Sequence, residues 1–271
     1  MAVVKGSLQL TGSVKGMTFY TRKGSEQVFM RSKGGPSKQR MATGKEFENV
    51  RTHQKEWKCC VSFARAVRNA VGATYHLADY NLQPGWTGIG KSLMKLDTIH
   101  PTGERRLYLT SYRMALEGYS LNKTYPLTTV LRVLPTVTLQ RETLSVTVDF
   151  PRINTTTDVL NVQNLPYFRL IVNLGCVSDM QYNPHNLFDT FEPMVELLQG
   201  VGHCALTEWT PAESMVPAQS LSVALNEELR EYLTENVSLL VSIGIEFGKV
   251  GFGGGIVAVK NAGCGKIVLV G

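Results

Sequence analysis

The run Gly85-Trp86-Thr87-Gly88-Ile89-Gly90-Lys91-Ser92 carries the sharpest chemical signal in this chain. Gly85 and Gly90, separated by four residues and followed by Lys and Ser, match a loop that wraps nucleotide phosphates with backbone N–H groups. In such a loop Lys91 would reach the terminal phosphates and Ser92 a magnesium ion. The pattern works only between a buried apolar strand and a helix. Here Asp79-Tyr80-Asn81-Leu82-Gln83-Pro84 precedes it, a polar run ending in a residue that cannot donate to a sheet ladder. The partner motif, apolar residues ending in Asp, has only Val146-Thr147-Val148-Asp149, whose alternation belongs to a half-buried strand. A plain helix-start loop is therefore preferred, with nucleotide binding by Gly85, Gly90, Lys91 and Ser92 kept as a second alternative.

Other chemistry-bearing residues form no constellation. His53, His76, His100, His185 and His203 are scattered, and only His203 and Cys204 are neighbours, on opposite sides of an expected strand. No metal or cofactor site is expected. The stretch Gly248 to Gly255 leads from one expected strand into another, where a dinucleotide fingerprint requires a helix. There is no Gly-x-Ser-x-Gly elbow, and Glu192 with Glu196, or Glu227, Glu228, Glu231 and Glu235, read as solvated helix faces. No catalytic residue is assigned, and the chain is not expected to be an enzyme. Five cysteines, odd in number and including the adjacent Cys59 and Cys60, read as reduced and mostly buried thiols.

Charge is the most uneven property along the chain. Up to Lys58 there are 12 Lys and Arg against 4 Asp and Glu, and after it 16 against 18. A basic opening segment, poor in apolar residues and punctuated by glycine, thus precedes a nearly neutral body. Lys5, Lys15, Arg22, Lys23, Arg31, Lys33, Lys38 and Arg40, with Phe19, Tyr20 and Phe29 among them, are the candidate contact residues for a subunit or a polyanion. They suit a phosphate backbone with stacked bases. They suit somewhat better an edge hairpin guarded by lysine against promiscuous pairing. The preferred reading uses backbone rather than charge: an extended segment with alternating apolar residues adds a strand to the open sheet edge of a neighbouring subunit.

These residues must be carried by elements of two kinds. Met17 and Phe19 alternate with Thr18 and Tyr20, Thr21 to Ser25 supplies a turn, and Val28-Phe29-Met30 resumes, which predicts a β-hairpin. Thr43 with Glu46 has capping-box spacing for a helix running to Val71, with Phe47, Val50, Trp57, Cys60 or Val61, Ala64, Val67 and Val71 spaced for one face and Gly72 as its stop. Shorter helical stretches are expected at 75–80, 90–96 and 111–116. After Tyr125-Pro126 the period changes to two. Strands are expected at 130–133, 136–139, 144–150, 167–174, 203–206, 221–225, 239–247, 255–260 and 266–270, with helical segments at 188–198 and 226–233. The expected fold is α+β: a basic β-hairpin arm over 1–42, a mainly helical segment over 43–124 and an antiparallel β-sandwich over 125–271.

The run Leu10-Thr11-Gly12-Ser13-Val14-Lys15-Gly16, then Phe19-Tyr20, Lys23-Gly24, Arg31-Ser32-Lys33-Gly34-Gly35 and the helix through Phe47, resembles the N-terminal signature of a domain-of-unknown-function family from Bacteroidota. The plan of a Gly-rich basic start, a helix and a β-rich second half, here Leu165 to Met180 and Leu239 to Gly271, is similar too. The resemblance implies a bacterial source of that kind and a non-enzymatic role.

The longest apolar run, Val237 to Ile245, is broken by Ser238, Ser242 and Gly244, so no membrane span is expected. The opening Met-Ala-Val-Val-Lys-Gly-Ser offers no apolar signal core, so cytoplasmic synthesis is expected, with any release occurring as part of a particle. The functional expectation is a self-assembling structural protein of a filament, shell or phage-like particle. Its partner is another copy of itself, forming a homo-oligomer or polymer, with nucleic acid as the alternative partner. No small-molecule substrate is identified.

Overall fold

The computed structural model describes residues 2–4, 12–23, 27–32, 34–185 and 191–271, and the chain divides into two compact units, Met1–Arg51 and Thr52–Gly271. The first unit contains a four-stranded antiparallel sheet in the order β1-β4-β3-β2, from β1 (Ala2–Val4), β2 (Gly12–Val14), β3 (Met17–Thr21) and β4 (Val28–Ser32). The expected hairpin of β3 and β4 is thus present, widened by a strand on each side. Lys15 and Gly16 join β2 to β3 with positive φ at both positions, 43° and 82°, as the twist of a two-residue hairpin turn requires. Among its described residues Val28 alone is buried.

A short helix, α1 (Lys38–Thr43), follows in the same unit. Its cap is Ser37, whose Oγ accepts from the Arg40 N–H at 3.1 Å, and not Thr43, which ends it and donates to Gln39 O. The capping box expected from Thr43 and Glu46 does not form, because Glu46 is taken up by Arg40 at 2.9 Å.

The second unit begins with most of α2 (Glu48–Ala70), followed by α3 (Gly72–Tyr75), α4 (Gln83–Lys95) and α5 (Leu127–Val130). The buried stripe of α2 is Glu56, Cys59, Cys60, Phe63, Ala64, Ala66, Val67 and Ala70; Val50 and Trp57, expected on that stripe, are exposed. The segment 130–133 is not a strand. Leu127, Val130 and Leu131 have helical spacing, so α5 forms, and Leu131 makes only an isolated bridge to Val159.

The strands of this unit are β5 (Thr136–Gln140), β6 (Ser145–Phe150), β7 (Ile153–Asn154), β8 (Tyr167–Ser178), β9 (Met180–Tyr182), β10 (Phe191–Pro193), β11 (Gly202–Leu206), β12 (Thr210–Pro211), β13 (Met215–Val216), β14 (Gln219–Ala224), β15 (Val237–Val250), β16 (Ile256–Ala258) and β17 (Cys264–Val270). A turn of helix, α6 (Thr155–Asp158), separates β7 from β8. The segments expected as helix near 188–198 and 226–233 resolve differently: 186–190 lie outside the described residues, β10 is a strand, and Glu196–Leu198 and Glu227–Tyr232 are 3-10 turns.

The main sheet has six strands, with β8 and β15 paired at its centre, β11 and β12 on the outer side of β8, and β16 and β17 on the outer side of β15. A three-stranded sheet, β14-β6-β5, covers one of its faces. Alternate residues of β8 and β15, among them Phe168, Leu170, Val172, Val241, Ile243 and Ile245, form a core there with Val146, Val148 and Phe150. The opposite face packs on the helices, where Val177, Leu240 and Ile267 join Phe63, Val67, Trp86 and Met94 in a second core. Burial on both faces explains why β8 and β15 run longer than alternation alone predicts. It also joins the expected helical segment and the sandwich in one unit, since helices α2 to α4 cover sheet that would otherwise face water. The fit is close: a Cβ on Gly175 of β8 would lie 2.0 Å from the Ala70 carbonyl oxygen at the end of α2.

Candidate functional site

The first unit's sheet has two chemically different faces. Val14 pairs with Met17, and Phe19 with Met30, so these four side chains share the face that also carries Val28. Val14 is 59% and Met17 45% exposed, with Phe19 and Met30 half-buried. On the other face Tyr20 and Phe29 are cross-strand neighbours, stacked with ring centroids 5.9 Å apart. The Arg22 guanidinium lies 4.6 Å from the Phe29 centroid and that of Arg31 5.4 Å from the Tyr20 centroid, both in cation–π range. The structure thus gathers Tyr20, Arg22, Phe29 and Arg31, while Phe19 points to the apolar side. Lys15 sits in the β2–β3 turn, Lys23 and Lys38 are exposed, and Arg40 is paired with Glu46. Lys5 and Lys33 lie outside the described residues.

The run Gly85 to Ser92 lies wholly inside α4. From Trp86 onward its N–H groups therefore serve the helix ladder and not a phosphate cradle, and Ser92 Oγ donates to the Gly88 carbonyl. Both motif glycines have a packing reason instead. A Cβ on Gly85 would lie 2.5 Å from the Tyr119 hydroxyl, and one on Gly90 2.9 Å from the Phe63 ring.

Lys91 belongs to a different group, centred on Glu56, which stands at an apolar-stripe position of α2 and is fully buried. Glu56 Oε1 accepts from the Gly103 N–H at 2.8 Å and Arg105 Nε at 2.7 Å; its Oε2 accepts from Arg105 Nη2 at 2.7 Å and from Lys91 Nζ. Burial pushes the Glu56 pKa up, but the bonds from Arg105, Lys91 and Gly103 outweigh it and hold the value at about 2. A carboxyl so acidic is permanently ionised near neutral pH and cannot exchange protons there. Its role is to tie α2, α4 and the 97–107 connection together. Asp97 folds that connection, accepting from the N–H groups of Ile99, His100 and Arg106 and from His100 Nδ1 at 2.8 Å. A carboxylate on an apolar stripe was the sequence signal for this group; its partners, 35 to 49 residues away, carried none.

Another buried carboxylate, Glu246 on β15, lies between His76 Nε2 at 2.7 Å and Arg169 Nε at 2.6 Å, and Arg169 stacks on Trp209 at 4.4 Å. The hydrogen bond to Glu246 raises the His76 pKa. Among the described residues no hydroxyl or thiol hydrogen-bonds to His76, so this pair has no nucleophile to activate. All five cysteines are free, four of them buried, and burial pushes the Cys60 thiol up to about 11 and those of Cys176 and Cys264 up to about 12. Among the described residues no cluster of His, Cys, Asp or Glu is arranged to hold a metal ion, and no helix is long and apolar enough to cross a membrane.

No family model matches the chain, and no curated protein or solved structure shows significant similarity to it.

Proposed function

We propose that this is a self-assembling structural protein, of a filament, shell or phage-like particle, in which the N-terminal sheet docks on a neighbouring copy. The observation that carries the reading is the near absence of a core in the first unit: Val28 alone is buried among its described residues, while Val14, Met17, Phe19 and Met30 share one partly exposed face. A small sheet gains independent stability only by burying such a face. The edge strands β1 and β2 have no further strand beside them among the described residues, which suits backbone pairing with a second chain. The second unit adds an exposed apolar tip: Phe252, in the Gly-rich turn between β15 and β16, is fully exposed. Sedimentation of the full chain and of a chain lacking residues 1–35 tests this. Large species are expected for the full chain only, and a full chain that remains monomeric at high concentration refutes the reading.

The alternative of nucleic-acid binding is favoured by one observation, the Tyr20–Phe29 stack flanked by Arg22 and Arg31. It requires an affinity for single strands that falls steeply with salt, and a flat salt response removes it.

A further inference from the structure

We propose that the seam between the two sheets of the second unit is a binding site for a free aliphatic monocarboxylate of medium chain length. A cavity of about 320 Å³ opens there, closed on one side by α5 and the 131–135 connection. Its walls come from Leu131, Val133 and Val137 on one side and Ile243, Val268 and Leu269 on the other. A β-bulge builds this wall. Register between β15 and β17 shifts after Val241, which pairs with Leu269 while Ser242 pairs with Ile267, leaving Val268 as the extra residue. Both Val268 and Leu269 consequently pack toward the same core, where regular alternation would send one of them away.

Size and chemistry then select the occupant. The volume falls within the range of about 300–1,000 Å³ typical of small-molecule sites. It is about twice the roughly 150 Å³ that accommodates benzene, so it suits a ligand of about a dozen non-hydrogen atoms. Aliphatic walls offer water few partners and favour an unbranched chain. Lys266 is the one charged residue lining the cavity, and it takes part in none of the ion pairs among the described residues. A single cation matches a monoanion; a phosphate dianion would call for a second cation, and none lines the cavity.

Isothermal titration calorimetry of the full chain with hexanoate, octanoate, decanoate and dodecanoate tests the assignment. Affinity should tighten roughly fourfold for each added methylene until the cavity is filled, and then level off. Decanoate should bind at least about tenfold more tightly than decanol, and Lys266→Met should abolish that preference while leaving decanol binding intact. Val137→Trp should remove binding of both ligands. Overturning results are no saturable binding of any acid, equal affinity of the wild type for decanoate and decanol, or undiminished decanoate binding by a folded Val137→Trp variant. If Val137→Trp does not fold, the Lys266→Met comparison decides between the outcomes by itself.

Discussion

Replacing Glu56 by Gln keeps the shape of the side chain and removes the charge that Arg105 and Lys91 surround. The folded-state pKa of about 2, against an ordinary value of 4.5, corresponds to about 3 kcal/mol at neutral pH. Glu56 is fully buried, so solvent screening takes little from this figure, and breaking a buried ion pair costs a similar amount, roughly 3–5 kcal/mol. The sign follows from the depressed pKa: the contribution is complete above about pH 4.5 and is lost as pH falls toward 2, with about 2 kcal/mol gone by about pH 3. Urea unfolding of wild type and Glu56→Gln at neutral pH and near pH 3 measures both effects, and taking the difference cancels carboxylates common to the two proteins. The variant should lose about 3 kcal/mol at neutral pH, and the gap should shrink to roughly 1 kcal/mol in acid. A neutral-pH loss below about 1 kcal/mol, or a gap independent of pH, refutes the clamp.

Gly175→Ala should destabilise the second unit by more than about 3 kcal/mol in a thermal melt, because the new methyl would meet the Ala70 carbonyl and the end of α2 must move. The raised His76 pKa means that its pairing with Glu246 stabilises the fold below the ordinary histidine value near 6.5 and that this stability is lost as pH rises through the folded value. His76→Gln should flatten the stability profile in that window by at most about 1 kcal/mol, since the ring is half exposed and screened, and an unchanged profile contradicts the pairing. In a thiol titration of native protein, only Cys204 should react promptly; the four buried thiols should react on unfolding, and prompt reaction of two or more contradicts the burial described.

Alternation revealed β5 and β6 almost to the residue, because each buries one face and exposes the other. It shortened β8 and β15, since a strand covered on both sides has no polar face to mark its continuation. Local signals failed where other contacts prevailed, a near one for Glu46 and distant ones for α4. Glu46 is drawn to Arg40 and away from the cap of a long helix, so Ser37 caps a short one. Gly85 and Gly90 are small because Tyr119 and Phe63 press on α4, and they coincide with a phosphate-loop pattern without forming the loop. The partners of Glu56 and the bulge beneath Val268 depend on residues far apart in sequence, so neither could be read from local pattern. Around the opening segment the stack of Tyr20 on Phe29 was within reach of the alternation, since the hairpin register alone sets the two rings side by side.

The most direct measurement of the central claim is negative-stain imaging of purified full-length protein beside a variant carrying Val14→Asp and Met17→Asp on the exposed face of the N-terminal sheet. Regular filaments or shells for the wild type and dispersed single particles for the variant are the predicted result. Monomers in the wild type, or identical assemblies in both, would contradict the docking of that face on a neighbouring copy.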